Sequence, residues 1–218
     1  MLLSDFSHVI FDLDGVLLDT EPLYTEATQR VVGQYGKTFD WSLKSRMMGR
    51  HELEAAQLLV ETLALPITAE EYLRRSVPIA EGLFASAAEL PGAQAFVTEL
   101  AARGHVLAVG TSSTRRLYEL KTRHLPWFGV FSAVVSGDHP EVRALKPAPD
   151  IFLAAARAIA GDPARCLVIE DSPAGVVAAR AAGMSVIAIP DAALPSERFA
   201  DAQLIVRSYA ELRARLEC

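Results

Sequence analysis

The sequence predicts an α/β fold in which helices cover both faces of a parallel sheet, with a second, helical segment inserted after the first strand. Three observations carry this. His8 to Thr20 reads HVIFDLDGVLLDT, an apolar run that breaks abruptly at two acids and a glycine. After Thr20 the strand-like signal vanishes for about seventy residues, and apolar side chains return at helical spacing. Beyond Glu89, short apolar runs alternate with helical stretches to the end of the chain, the pattern of right-handed βαβ crossovers.

Val9, Ile10 and Phe11 suit a strand buried on both faces. Strand side chains alternate, so Asp12 and Asp14 project together with Leu13 opposite, and Gly15 marks a sharp turn. In the insert, Leu23, Ala27, Val31 and Tyr35 recur every four residues, with Gly36 placed to end that helix. A second helix is expected from His51 to Leu65, with Leu53, Ala56, Val60 and Leu63 on one side and Pro66 as the stop. Thr68-Ala69-Glu70-Glu71 has the capping-box pattern and opens a third helix reaching about Phe84. Glu89-Leu90-Pro91-Gly92 reads as the return. The expected division is therefore 1–20 with 89–218 as the sheet-bearing core and 21–88 as an inserted helical domain.

In the core, helices are expected over Ala93–Arg103, Thr114–His124, Asp150–Ala160, Ala174–Ala182 and Ala210–Leu216. Strands are expected over Val106–Gly110, Ala133–Ser136, Cys166–Ile169, Val186–Ile189 and Leu204–Val206.

At 218 residues, about half of them apolar, the chain can build a substantial core. Twenty-one basic against 27 acidic residues give a net charge of −6 with no basic tract, which argues against a nucleic-acid partner. No run approaches membrane-span length, and no basic region precedes the first apolar stretch. A soluble, cytoplasmic protein without a membrane or obligate protein partner is expected. Cys166 and Cys218 lack CxxC spacing, against a disulfide framework, zinc site or redox motif.

Ligands bind open parallel sheets at the carboxyl ends of the strands, and the polar residues of this chain gather there. Two acids as close as Asp12 and Asp14 repel; a hard divalent cation, which favours oxygen ligands, reconciles them. Val106–Gly110 ends in Thr111-Ser112-Ser113, where a hydroxyl and backbone N–H groups at a helix start suit a phosphate oxygen. Lys146 stands in a proline-braced loop, Leu145-Lys146-Pro147-Ala148-Pro149, and is one of only four lysines. Glu170-Asp171 is a second acid pair at a strand end, before a proline-started helix. Read singly, DxDG, the Thr-Ser-Ser turn and Glu170-Asp171 also fit turns or helix caps, and Lys146 a solvated lysine.

Their order is more informative. DxDG, a strand-end Thr, Lys-Pro and Glu-Asp resemble, in sequence, the four motifs of the haloacid dehalogenase (HAD) superfamily of Mg²⁺-dependent phosphohydrolases. The resemblance covers nearly the whole chain and implies a Rossmann-like core with a helical cap between the first two motifs. By this resemblance Asp12 is the nucleophile that forms an aspartyl-phosphate, and Asp14 the general acid/base with its backbone carbonyl on Mg²⁺. Thr111 and Lys146 hold the phosphoryl group, joined by Ser112. Asp171 ligates the metal, and Glu170 helps directly or through water. DLDGVLLDTEPLY, MMGRHELEAAQLL, SGDHPEVRALKPAPDIFL and EDSPAGVVAARAAGM resemble the branch that includes pseudouridine-5′-phosphatase and sugar-phosphate phosphatases.

The substrate class implied is a small phosphorylated metabolite, a sugar phosphate or a nucleoside monophosphate such as pseudouridine 5′-phosphate. Arg50, after Gly49, meets the substrate or is a solvated cap arginine. Two alternatives stay in view. A phosphosugar mutase of the β-phosphoglucomutase type is disfavoured: Tyr24 stands where that relative has a histidine, and no lysine lies between Lys44 and Lys121. A catalytically idle phosphometabolite-binding protein would not need Asp14. Asp14 also argues against dehalogenation, because haloacid dehalogenases lack that second acid.

Overall fold

The protein is described by a computed structural model over residues 3–47 and 52–216. Strand β1 (His8–Phe11) is followed by β2 (Leu18–Asp19), which pairs antiparallel with β3 (Ala88–Glu89). The chain thus leaves and re-enters the core as neighbouring strands. Neither short strand was expected, since two residues carry no alternation to read. The remaining strands are β4 (Val106–Gly110), β5 (Ala133–Val135), β6 (Cys166–Glu170), β7 (Ser185–Ala188) and β8 (Leu204–Ile205). With β1 they form a parallel sheet in the order β5-β4-β1-β6-β7-β8. Chain order runs outward from β1 through β4 to β5, then returns to the other side of β1 at β6. That reversal is a topological switch point, where open sheets leave a crevice. Val9, Ile10 and Phe11 are fully buried, as a central strand requires, each contributing about 1.5–3 kcal/mol of apolar burial.

The chain divides into two compact units, Met1–Asp19 with Ala88–Cys218 and Thr20–Ala87. The second is helical. Helix α1 (Glu21–Val32) runs into a 3-10 turn, Gly33–Tyr35, and stops at Gly36 in the left-handed region (φ 67°). Helix α2 (Trp41–Met47), which the sequence reading did not foresee, is capped by the Asp40 carboxylate accepting from the Leu43 N–H at 2.9 Å. It is seven residues long and buries only Leu43, too little to show a period. Helix α3 (Glu52–Leu63) buries Ala56 and Leu59, whereas Leu53 is exposed. Of the expected face, Ala56 is buried and Val60 and Leu63 pack against this unit's own core; only Leu53 falls outside it, and Leu59 joins it. Helix α4 (Ala69–Phe84) starts as its capping box requires, the Thr68 hydroxyl accepting from the Glu71 N–H at 3.2 Å, and continues through Pro78.

In the sheet unit, α5 (Ala93–Ala102), α6 (Arg115–Thr122), α7 (Asp150–Ala158), α8 (Pro173–Ala181) and α9 (Tyr209–Arg215) fall where the apolar periodicity places them. No helix among the described residues is long and apolar enough to cross a membrane.

Candidate active site

Parallel register brings the sequence motifs to one edge. Phe11 is level with Val109 of β4 and Ile169 of β6, so Asp12 and Glu170 leave the sheet side by side, with Thr111 following Gly110 at the end of the neighbouring strand. Asp12 holds this position through its N–H, which donates to the Ile169 carbonyl at 3.0 Å. The fourth group arrives from a loop. Asp150, at the start of α7, accepts from the N–H groups of Arg143 and Ala144 at 2.9 and 3.1 Å and ties down the segment that carries Lys146. The buried Lys146 ammonium donates to Asp12 Oδ1 at 2.5 Å and to Glu170 Oε1 at 2.7 Å, and lies 4.7 Å from the centre of the Phe152 ring.

Glu170 uses its other oxygen as a hub. Oε2 accepts from the N–H groups of Asp171 and Ser172, both at 2.8 Å, and from the Ser172 hydroxyl at 3.0 Å. Ser172 in turn caps α8 by accepting from the Gly175 N–H at 3.0 Å. With both oxygens engaged, Glu170 locks Lys146 to the start of α8. Asp171 lies against the DxDG turn: Gly15 has φ 74°, and a Cβ there would occupy the place of the Asp171 carboxylate. Glycine is needed at this position for both its conformation and its lack of bulk.

Asp14 is held separately. Lys121 Nζ donates to Asp14 Oδ1 at 2.6 Å and to Ser113 Oγ at 3.1 Å, while Ser113 Oγ donates to Asp14 Oδ2 at 3.0 Å. Lys121 is fully buried on the inner face of α6 with Tyr118 and Thr122. The sequence reading missed both Lys121 and the part played by Ser113. The available signal was a lysine three residues beyond Tyr118 on a helix's apolar side, in a chain with only four lysines.

Thr111 is buried, and its hydroxyl oxygen accepts from the Ser113 N–H at 3.1 Å, which shapes the turn into α6. Ser112 is exposed on the same turn. Tyr24 is partly exposed with its ring edge-on to Phe84 at 5.1 Å, both within the helical unit. Arg50 lies outside the described residues.

The electrostatics of this edge are unbalanced. Asp12, Asp14, Glu170 and Asp171 set four carboxylates against two ammonium groups, Lys121 and Lys146. The Asp12 carboxyl is raised to about 7: burial pushes it up most, Lys146 pulls it down, and Glu170 and Asp14 push it up. Burial works against the Lys146 ammonium, but Asp12 and Glu170 outweigh it and lift its pKa above the ordinary lysine value. Among the described residues no three His, Cys, Asp or Glu side chains converge as a ready metal cage, since Asp14 is turned to Lys121 and Glu170 to Lys146.

A buried acid, a second acid two residues on, a buried lysine and a strand-end acid pair define a class when they share the switch point of a parallel sheet. The haloacid dehalogenase-like hydrolase family model matches residues 6–183, and the chain belongs to that family. It is 41% identical over 216 residues to (DL)-glycerol-3-phosphatase 2 of Arabidopsis thaliana, covering 96% of this chain and 90% of the relative. It is 40% identical to a probable pseudouridine-5′-phosphatase of Drosophila melanogaster, covering 97% and 94%. Among solved structures it is similar to a candidate β-phosphoglucomutase from Thermotoga maritima, at 32% identity and a TM-score of 0.80, covering 97% of this chain and 99% of that one. Within the family, the protein is a phosphoric monoester hydrolase.

Proposed function

We propose that this hydrolase is a Mg²⁺-dependent phosphatase of small phosphorylated metabolites, taking a polyol, sugar or nucleoside monophosphate such as pseudouridine 5′-phosphate. The observation that carries the reading is the buried Lys146 bridging Asp12 and Glu170, with Asp14 fixed beside it. Phosphoryl transfer depends chiefly on such positioning and charge neutralisation. In the first step an Asp12 oxygen bonds to phosphorus as the ester P–O bond breaks, and Asp14 gives a proton to the departing oxygen. In the second, Asp14 takes a proton from water as that water bonds to phosphorus. The P–O bond to Asp12 breaks, releasing phosphate and restoring the carboxylate. Two of the three Lys146 protons are committed to Asp12 and Glu170, which leaves one for a phosphoryl oxygen. The Thr111 hydroxyl supplies a second donor.

Asp12, Asp171 and the Asp14 backbone carbonyl are hard oxygen donors at an edge with surplus negative charge, and these are the groups that would hold Mg²⁺. When bound, the ion neutralises that charge and keeps Asp12 anionic. Glu170, its oxygens already engaged, is assigned to orienting Lys146 instead of direct ligation. Substrate choice is assigned to the inserted helical unit, residues 21–88.

The relatives named for glycerol-3-phosphatase and pseudouridine-5′-phosphatase activity support the substrate class. The decisive experiment measures phosphate released from a panel of sugar, polyol and nucleoside monophosphates, with Mg²⁺ and with chelator. Mg²⁺-dependent release from at least one is expected, and none from any would sink the reading. The Thermotoga maritima neighbour keeps a mutase as the second reading. Incubation with β-glucose 1-phosphate and glucose 1,6-bisphosphate decides it, with free phosphate expected and no glucose 6-phosphate formed in excess of it.

A further inference from the structure

We propose that Lys121, together with Ser113, is the positioning residue for Asp14, holding its carboxylate in the one orientation from which it serves the leaving oxygen. The inference rests on the phosphatase reading and deepens it.

A buried ammonium is a costly choice for the inner face of α6. Taking an unpaired charge out of water costs several kcal/mol, and even a paired one is often no better than a well-packed apolar side chain. Tyr118 beside it shows that this face accepts hydrocarbon. Fold stability alone does not call for a lysine here. What Lys121 does hold is specific. Its ammonium meets Asp14 Oδ1 at 2.6 Å and Ser113 Oγ at 3.1 Å, and the serine meets Asp14 Oδ2 at 3.0 Å. The ring closes in only one sense. Lysine can only donate, so the serine oxygen accepts from it and spends its single proton on Asp14. Both Asp14 oxygens are thereby gripped, from a helix and from the turn that precedes it.

The arrangement also separates the two motif-one acids. Lys146, from a loop, holds Asp12 and Lys121, from α6, holds Asp14, so the two carboxylates are gripped by different ammonium groups. An acid left to rotate could approach its neighbour's lysine, lose the leaving oxygen or crowd the nucleophile. Holding a reacting group within tenths of an ångström is worth orders of magnitude in rate. Ser113 is small and lies on a turn, so its removal tests the clamp without opening the core.

The experiment compares Asp14→Asn, Lys121→Met, Ser113→Ala and the Asp14→Asn/Lys121→Met double variant. Each is assayed with Mg²⁺ on glycerol 3-phosphate, whose alkoxide leaves poorly, and on p-nitrophenyl phosphate, whose phenolate leaves unaided; thermal unfolding is followed alongside. Lys121→Met is expected to lower kcat on glycerol 3-phosphate roughly a hundredfold, with KM little changed, and to lower p-nitrophenyl phosphate turnover only several-fold. Ser113→Ala should show the same bias with a smaller loss. The double variant should fall no further than Asp14→Asn, because the lysine acts through Asp14, and it should unfold at a higher temperature than Asp14→Asn. Equal losses on both substrates, or losses that multiply in the double variant, overturn the proposal. If Lys121→Met does not fold, an unbiased or unchanged Ser113→Ala overturns it. Should Asp14→Asn itself show no leaving-group bias, Asp14 loses its assigned role and the proposal falls with it. If Asp14→Asn shows the bias and Lys121→Met does not, only the proposal fails and the phosphatase reading stands.

Discussion

In the sheet unit, Lys146 lies 2.5 Å from Asp12 and 2.7 Å from Glu170, with all three side chains buried. In the helical unit, Lys44 lies 2.9 Å from a Glu21 carboxylate that is 37% exposed, and donates to the Thr25 hydroxyl at 2.8 Å. The same chemical pair does different work in the two places. At the strand edge, the paired side chains are buried, every oxygen of Glu170 is engaged, and movement of one member strands another's charge. The helical pair lines a cavity of about 330 Å³ that also includes Tyr72 and Ser76 and is otherwise largely apolar. Water screens this pair, and its members can exchange partners at little cost. A rigid, saturated site suits a reaction common to a whole family. A loosely paired, roomy one suits a feature that differs from one member to the next.

The sharpest way to break this contrast is at Asp12. Asp12→Asn keeps the shape and loses the carboxylate proposed as the nucleophile, so phosphate release should fall on the order of a thousandfold or more. Near wild-type release from a folded variant would remove Asp12 from the chemistry. Lys146→Met comes next. It leaves Asp12 and Glu170 without their shared cation, and chemical denaturation should show a loss of about 3–5 kcal/mol together with loss of turnover. A stability change below about 1 kcal/mol would mean the buried pair is no different from an exposed one.

A third expectation concerns pH and metal. The Asp12 carboxyl is raised from 3.8 to about 7, so between those values the folded protein keeps a proton that the unfolded chain has released. The Asp12 contribution therefore makes metal-free protein less stable as pH rises through this window. If Mg²⁺ is held as proposed, it requires the deprotonated carboxylate, so the Tm gain on adding Mg²⁺ should grow from about pH 5 to about pH 8. Melting curves with Mg²⁺ and with chelator check this, and a gain that is flat or larger at the acid end would contradict it. The smallest effect is expected in the helical unit. Lys44→Met should change stability by no more than about 1 kcal/mol, as pairs with a partner open to water do. A larger loss would show that the helical pair is as locked as the buried one.

The amino-acid sequence alone determined the parts of this protein that local physics can express. An apolar run ending at Asp12-Leu13-Asp14-Gly15 specifies a central strand and a turn, because strand side chains alternate and glycine alone tolerates φ 74° against Asp171. Spacing and caps likewise announced α1, α4 and the core helices, strand ends announced Thr111, Glu170 and Asp171, and a proline-braced loop announced Lys146. What only the tertiary structure decided is which charges meet. Lys121 and Asp14 are 107 residues apart, and Lys146 and Asp12 are 134. The end of α3's inner face was settled by its neighbours in the helical unit, which bury Leu59 and leave Leu53 exposed, while Ala56, Val60 and Leu63 pack as their periodicity favoured. Local sequence codes backbone geometry over a few residues. Partners in a buried ion pair are chosen by the sheet register and helix packing that bring distant segments together, and desolvation makes that choice decisive.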